Sequence, residues 1–185
     1  MKPALPTIEA EHRTLGTLLK GLKTTSDKLL AGQSAEPQLL RTIVRYIAAY
    51  PDRHHHPKET RHLFNRLRMR TGELDAVLDR LEYEHLQGDS MLRTLSGALH
   101  AAETGGDAER LAFAQNVNRF VEFYWQHMRT EEEVILPAAR RFFTEDDWDD
   151  LDCAFAGHAD PMADIAGQPG GAEFERLLAR LDSMP

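Results

Sequence analysis

Two stretches of the chain repeat one pattern, His-x-x-x-Glu: His55-His56-Pro57-Lys58-Glu59 and His127-Met128-Arg129-Thr130-Glu131. Residues four apart lie on the same face of an α-helix, so each stretch places an imidazole beside a carboxylate. Two further histidines, His12 and His85, interrupt apolar residues that recur at helical spacing. Four imidazoles and two carboxylates that met in one core would form a site for two metal ions.

The composition is that of a single acidic domain of 185 residues. A formal net charge of −8 argues against a nucleic acid or an anionic membrane as partner. Cys153 is the only cysteine, so an internal disulfide is excluded and a reducing compartment is expected. The first residues lack the apolar run of a signal peptide, and no stretch approaches transmembrane length. We therefore expect a soluble, cytoplasmic protein.

Helical periodicity dominates the chain and strand-like alternation is absent, which predicts an all-α protein. Four long helices are predicted, at about residues 7–30, 37–70, 73–103 and 107–142, with Thr7 as the N-cap of the first. Pro57 and Pro137 should bend the second and fourth helices. Long helices joined by short turns pack as antiparallel neighbours, so the expected fold is an up-down-up-down four-helix bundle.

A short helical extension is expected after the bundle. Thr144 should open a fifth helix, with Asp147 in the capping-box position, and a linker at 167–171 should precede a last amphipathic helix at about 174–181. We therefore expect a bundle domain over residues 1–160 and a C-terminal linker and short helix, residues 161–185, that packs on it.

The depth of each candidate ligand along its helix predicts that the six side chains meet. His12 lies about 18 residues before its helix ends and His55 about 18 residues after the next begins, which is roughly 27 Å at 1.5 Å per residue. Similar offsets match Glu59 with His85, and His85 with His127. In an antiparallel bundle these matched offsets place all six side chains at one level.

A bundle core that held these groups without metal would bury polar groups at a cost of several kcal/mol. A divalent cation removes that cost, because neutral imidazole and ionised carboxylate are its ligands. Glu59 and Glu131 can each bridge two ions, while the four histidines divide as two terminal ligands per ion. Imidazole and carboxylate without thiolate suit two iron ions, with manganese or zinc as alternatives.

The chain resembles the hemerythrin-like, HHE cation-binding family over roughly residues 5–160. The resemblance is carried by Glu11-His12, the His54–Glu59 stretch, Glu84-His85 and His127-x-x-x-Glu131. It implies a di-iron four-helix bundle in which six residues bind metal, with the histidines as terminal ligands and the glutamates as bridges: His12, His55, Glu59, His85, His127 and Glu131.

The sequence departs from the oxygen-carrying members of that family. They have a fifth histidine on the third helix, where this chain has Leu81 or Asp89, and an Asp five residues after the last histidine, where this chain has Glu131 at four. The set is more similar to bacterial iron–sulfur repair di-iron proteins and iron-sensing hemerythrin-like domains. We therefore expect open metal positions that react with dioxygen, nitric oxide or peroxide, or a role in iron handling, rather than oxygen transport.

Alternatives remain open at this point. A ferritin-like di-iron carboxylate site would use Glu9 and Glu82, each three residues before a histidine. A metal-responsive regulatory module or a metal-free bundle would carry the same helices, and the sequence identifies neither a protein partner nor an enzymatic reaction. It also leaves open whether His54, His56 or His158 joins the site.

Overall fold

The computed structural model describes residues 4–33, 37–49, 54–156 and 171–183, and these are helical except for short turns. The helices are α1 (Ala4–Leu30), α2 (Pro37–Ala49), α3 (His56–Lys58), α4 (Asn65–Arg70), α5 (Asp75–Thr104), α6 (Asp107–Thr130), α7 (Leu136–Phe142), α8 (Glu145–Ala156) and α9 (Gly171–Asp182), with π-helical segments at Glu59–Phe64 and Glu131–Ile135. The predicted all-α class is confirmed. None of these helices is both long and apolar enough to cross a membrane.

The long helices form an antiparallel four-helix bundle, in which α1 and α5 each pack against α2 and α6. Arg41 near the start of α2 pairs with Glu103 near the end of α5, so these two helices run in opposite directions. His12 near the start of α1 contacts Glu132, just beyond the end of α6, which makes that pair antiparallel as well. The up-down-up-down bundle predicted from the sequence is confirmed.

The N-terminal boundary differs from the prediction. The first helix already includes Ala4, so Thr7 lies within it and its assignment as the N-cap is wrong. Pro6 is tolerated there because residues of the first helical turn have no intrahelical partner for their N–H groups. The predicted second helix falls into α2 and the helical stretch 54–70, and residues 50–53 between them lie outside the described residues.

Both prolines that were expected to bend a helix lie beside a π-helical segment. Pro57 lies just before Glu59–Phe64, and Pro137 lies just after Glu131–Ile135. A proline cannot donate the usual backbone hydrogen bond, and its ring displaces the carbonyl four residues earlier. For Pro137 that carbonyl belongs to Glu133, inside the π-helical segment, and the locally widened turn accommodates both effects. The segment Glu59–Phe64 follows Pro57 in the chain, so this mechanism does not explain it. The sequence predicted a disturbance at these positions but not its π-helical form.

A polar layer divides the bundle core into two apolar clusters. One cluster contains Leu15 to Leu22 of α1 with the inner faces of α2, the later part of α5 and most of α6. The other contains Ile8, Leu63, Leu81 and Ile135 together with Trp148 of α8. The polar layer between these clusters contains the histidines and glutamates that the sequence singled out.

The C-terminal helices cover the bundle. Thr144 and Asp147 form the predicted capping box at the start of α8: the Thr144 N–H donates to Asp147 Oδ2 at 2.9 Å, and the Asp147 N–H donates to Thr144 Oγ1 at 3.4 Å. Arg70 donates to both oxygens of the buried Asp147 carboxylate, at 2.7 and 3.0 Å. The last helix, α9, packs on α1 and begins three residues before the predicted position.

Candidate metal centre

The four histidines of the polar layer form two close pairs. His12 Nε2 lies 3.1 Å from His55 Nε2, and His85 Nε2 lies 3.1 Å from His127 Nε2. Three of the four side chains are buried and His85 is 10% exposed. Each pair combines two helices of the bundle, so the positions between the Nε2 atoms are fixed by the packing of helices. We call the space at His12 and His55 the first ion position, and that at His85 and His127 the second.

Two fully buried carboxylates lie between the histidine pairs. The oxygen-to-nitrogen distances that define their placement are Glu59 Oε1 to His55 Nε2 at 3.1 Å, Glu59 Oε2 to His85 Nε2 at 3.8 Å, Glu131 Oε2 to His12 Nε2 at 3.3 Å and Glu131 Oε1 to His127 Nε2 at 3.3 Å. Each carboxylate therefore directs one oxygen to the first ion position and the other to the second. The structure brings together all six side chains named from the sequence.

The residues present fit two cations. All four oxygens of Glu59 and Glu131 are buried without a hydrogen bond of regular geometry from the described residues, although imidazole nitrogens lie 3.1–3.8 Å from them, so the two negative charges require positive partners within the layer. Two imidazole nitrogens that share one ion, each about 2.1 Å from it and at right angles, would lie about 3 Å apart. The spacing within each histidine pair matches that value, so both the charge and the geometry of the layer accommodate bound metal.

The Nδ1 atom of each paired histidine faces a hydrogen-bond partner on the side away from the layer. These partners are Glu132 for His12 at 2.9 Å, Glu11 for His55 at 2.6 Å, Thr60 for His85 at 3.2 Å and Glu84 for His127 at 2.9 Å. A carboxylate that accepts the Nδ1 proton fixes the tautomer in which Nε2 is free to ligate, and it raises the basicity of the ring.

None of these partners was predicted from the sequence to contact a ligand histidine. Glu11 and Glu84 each directly precede a histidine, but each bonds to the histidine of the neighbouring helix, His55 or His127. Successive residues of a helix point about 100° apart, so the glutamate of a Glu-His dipeptide turns toward the adjacent helix while the histidine faces the core. This angle between a glutamate and the histidine that follows it is the sequence feature from which the two contacts could have been predicted.

Without bound metal, His55 and His127 hold their protons more tightly than a free imidazole does. Burial alone would lower the pKa of His55, but the negative Glu59 and the hydrogen bond to Glu11 raise it to about 9. Burial likewise opposes the charged form of His127, while Glu131 raises its pKa to about 10. Burial would raise the pKa of Glu131, but the neighbouring imidazolium of His127 holds it well below its usual range. Protons and metal ions therefore compete for the same imidazoles.

Grooves reach the layer from two opposite faces of the bundle. A groove of about 770 Å³ between α1 and α6 has His12 and Glu132 in its wall, and Trp125 beside them. A second groove of about 840 Å³, beside α5, is lined by His56, Thr60 and His85 among others. Small solutes therefore have a route toward each ion position.

The ferritin-like arrangement is not assembled. Glu9 contacts Arg140 at 3.3 Å, and Glu82 contacts Arg68 at 3.1 Å, so both carboxylates are directed into ion pairs away from the layer. Of the three histidines left open by the sequence, His56 is buried beside the second ion position, His54 is half-buried, and His158 lies outside the described residues.

The comparison with known protein families agrees with this donor set. No curated protein sequence matches the chain significantly. The family model of the hemerythrin HHE cation binding domain matches residues 4–139. This range includes the long helices of the bundle and the six histidines and glutamates predicted as ligands. The chain therefore belongs to the hemerythrin HHE cation-binding domain family.

Proposed function

We propose that this protein is a non-haem di-iron protein whose centre reacts with, or senses, dioxygen, nitric oxide or peroxide, or handles iron. The observation that carries this proposal is the pair of buried carboxylates that link two imidazole pairs. Nitrogen and oxygen donors without a thiolate are typical of non-haem iron sites, and manganese and zinc are the alternative metals.

In this proposal, each ion position has two terminal imidazoles and shares both carboxylates. His12 and His55 would hold one ion, His85 and His127 would hold the other, and Glu59 and Glu131 would each offer one oxygen to both. When bound, two iron ions supply changes of oxidation state and binding positions for small ligands. The protein supplies fixed imidazole tautomers, through the carboxylates bonded to Nδ1, and an apolar environment on both sides of the layer that limits access of water.

The donor set favours reaction or sensing over reversible oxygen transport, because Glu131 follows His127 at four residues, whereas the oxygen-carrying members of the family have an Asp at five. A metal-responsive regulatory module is the second candidate. It is favoured by the position of Phe155 on α8, whose ring centre lies 6.3 Å from that of His55. Through this contact, a change at the first ion position would act directly on α8.

Metal loading tests the di-iron assignment. Protein reconstituted anaerobically with iron(II) should hold two iron ions per chain, and Glu131→Ala should lose most of both, since the carboxylate serves both positions. Glu133→Ala is the matched control, because Glu133 is an exposed neighbour on the same helix. Wild-type protein without iron, or equal iron content in the two variants, would contradict the proposal.

Stopped-flow spectroscopy tests the reactivity. The diferrous protein should react with dioxygen, nitric oxide or peroxide within the recording time. A stable and reversible dioxygen complex would contradict the assignment as a non-carrier, and the absence of reaction with all three would contradict a reactive or sensing centre.

A further inference from the structure

A fifth imidazole lies at the second ion position. His56 is buried, with 5% of its surface exposed, and its ring stacks on that of His85 with centres 4.2 Å apart and planes 12° apart. The ring centre of His127 lies 5.6 Å away. One nitrogen from each of His56, His85 and His127 can be chosen so that all three lie within 4.8 Å of one another, close enough to surround a single ion.

Helix geometry explains why adjacent histidines face different ion positions. Side chains of successive residues point about 100° apart, and the helical stretch 54–70 passes alongside both positions. His55 is therefore directed to His12, at 3.1 Å between their Nε2 atoms, while His56 is directed to the ring of His85. The two histidines contact different pairs, although they are neighbours in the sequence.

We propose that His56 is a third imidazole ligand of the second ion, an inference that rests on the di-metal function proposed above. The third ring comes from the stretch 54–70, whereas α5 offers Leu81 and Asp89 one turn before and after His85. An ion lies close to the ring plane of each imidazole that binds it. His56 must therefore tilt out of its parallel stack on His85 when metal enters.

This ligand makes the two ion positions unequal. The second position would have three imidazoles and two carboxylates, whereas the first would have two imidazoles and the same two carboxylates. Exchangeable coordination positions are then concentrated at His12 and His55. The groove between α1 and α6, which has His12 in its wall, becomes the route by which a small ligand reaches them.

Cobalt(II) is a suitable probe, because a paramagnetic ion shifts the exchangeable N–H proton of every imidazole that binds it out of the normal proton NMR range. The wild-type protein loaded with cobalt(II) should show five such signals. His56→Phe should show four, since phenylalanine keeps a ring against His85 but has no donor nitrogen, and His56→Gln should also show four. His62→Gln is the matched control on the same stretch, because His62 bonds to Asp150 instead, and it should keep five.

Four shifted signals in the wild type, or five in His56→Phe, would overturn the assignment of His56 as a ligand. Four signals in the wild type with two bound cobalt ions would leave the di-metal function intact, so the two proposals fail separately. Wild-type protein that binds no cobalt(II) would instead refute the di-metal function and this inference with it. Circular dichroism of each metal-free variant confirms that the comparison is made between folded proteins.

Discussion

The metal-free protein is expected to lose stability as the pH rises from about 6.5 to 10. The pKa of His55 is raised from 6.5 to about 9 and that of His127 to about 10, because the nearby carboxylates outweigh the effect of burial. The folded protein therefore binds these protons more tightly than the unfolded chain does. Their stabilising contribution is complete below pH 6.5 and is lost as the pH rises through the two raised pKa values.

The size of the effect follows from the shift. Each pKa unit corresponds to about 1.4 kcal/mol, so the shift of His55 alone contributes on the order of 3 kcal/mol to the free energy of unfolding. For a chain of this size about 1 kcal/mol changes the melting temperature by roughly 2–4 °C. The melting temperature should therefore fall by roughly 6–12 °C or more between pH 6.5 and 9.5.

Thermal unfolding of chelator-treated protein, followed by circular dichroism across this pH range, measures the effect. Glu131→Gln is the informative variant, because it removes the negative charge that raises the pKa of His127, and its melting temperature should depend less on pH. A wild-type melting temperature that stayed constant or rose with pH would refute the reasoning. An equal slope in Glu131→Gln would show that the pH dependence arises elsewhere.

Three further outcomes are expected. Glu11→Gln should weaken cobalt(II) binding by roughly 10–100-fold in a chelator competition titration, since Glu11 orients His55. Glu9→Gln, two residues earlier on the same helix, should leave the cobalt(II) affinity unchanged, because Glu9 pairs with Arg140. Asp147→Ala should lower the free energy of unfolding by about 2–3 kcal/mol in urea titrations, because the Arg70 guanidinium and the capping box lose their acceptor. Asp146→Ala, at an exposed position, should have little effect. Bound cobalt(II) should raise the melting temperature, and more so at pH 9 than at pH 7, because metal competes with protons that are lost over this range; a gap that narrowed with pH would contradict this competition.

The bundle and the meeting of the six side chains could be predicted because both depend on regular helix geometry. A constant rise per residue converts a position in the sequence into a depth, so His12 and His85 could be matched with their partners on other helices. The apolar residues on either side, such as Ile8 and Leu15 in α1, confirm that depth: they belong to the two clusters that enclose the layer.

The rest depended on contacts between helices that no single helix encodes. The form of the disturbance at Pro57 is set by how the stretch 54–70 packs, and periodicity alone predicts only that a disturbance occurs. The direction of His56 depends on the same local geometry. Glu132 lies beside a predicted ligand in the sequence, but its role follows from the approach of α1 and α6, which brings His12 to 2.9 Å from it.

The two halves of the candidate metal centre repeat the same arrangement of histidine pair and glutamate, but they differ in the groups next to it. In one half Glu11 bonds His55, which pairs with His12, and in the other Glu84 bonds His127, which pairs with His85. This repetition gives two equivalent places for an ion.

The partners of the remaining two rings break the equivalence. His12 is bonded at Nδ1 to the carboxylate of Glu132, whereas His85 is bonded to the neutral hydroxyl of Thr60. A carboxylate makes its imidazole the more basic and more strongly donating ligand, and Glu132 is also half exposed in the groove that reaches His12. His56 adds a ring at the second position alone. The two ions would therefore differ in ligand basicity and in number of donors, and the smaller number of donors assigns the exchange of small ligands to the His12 side.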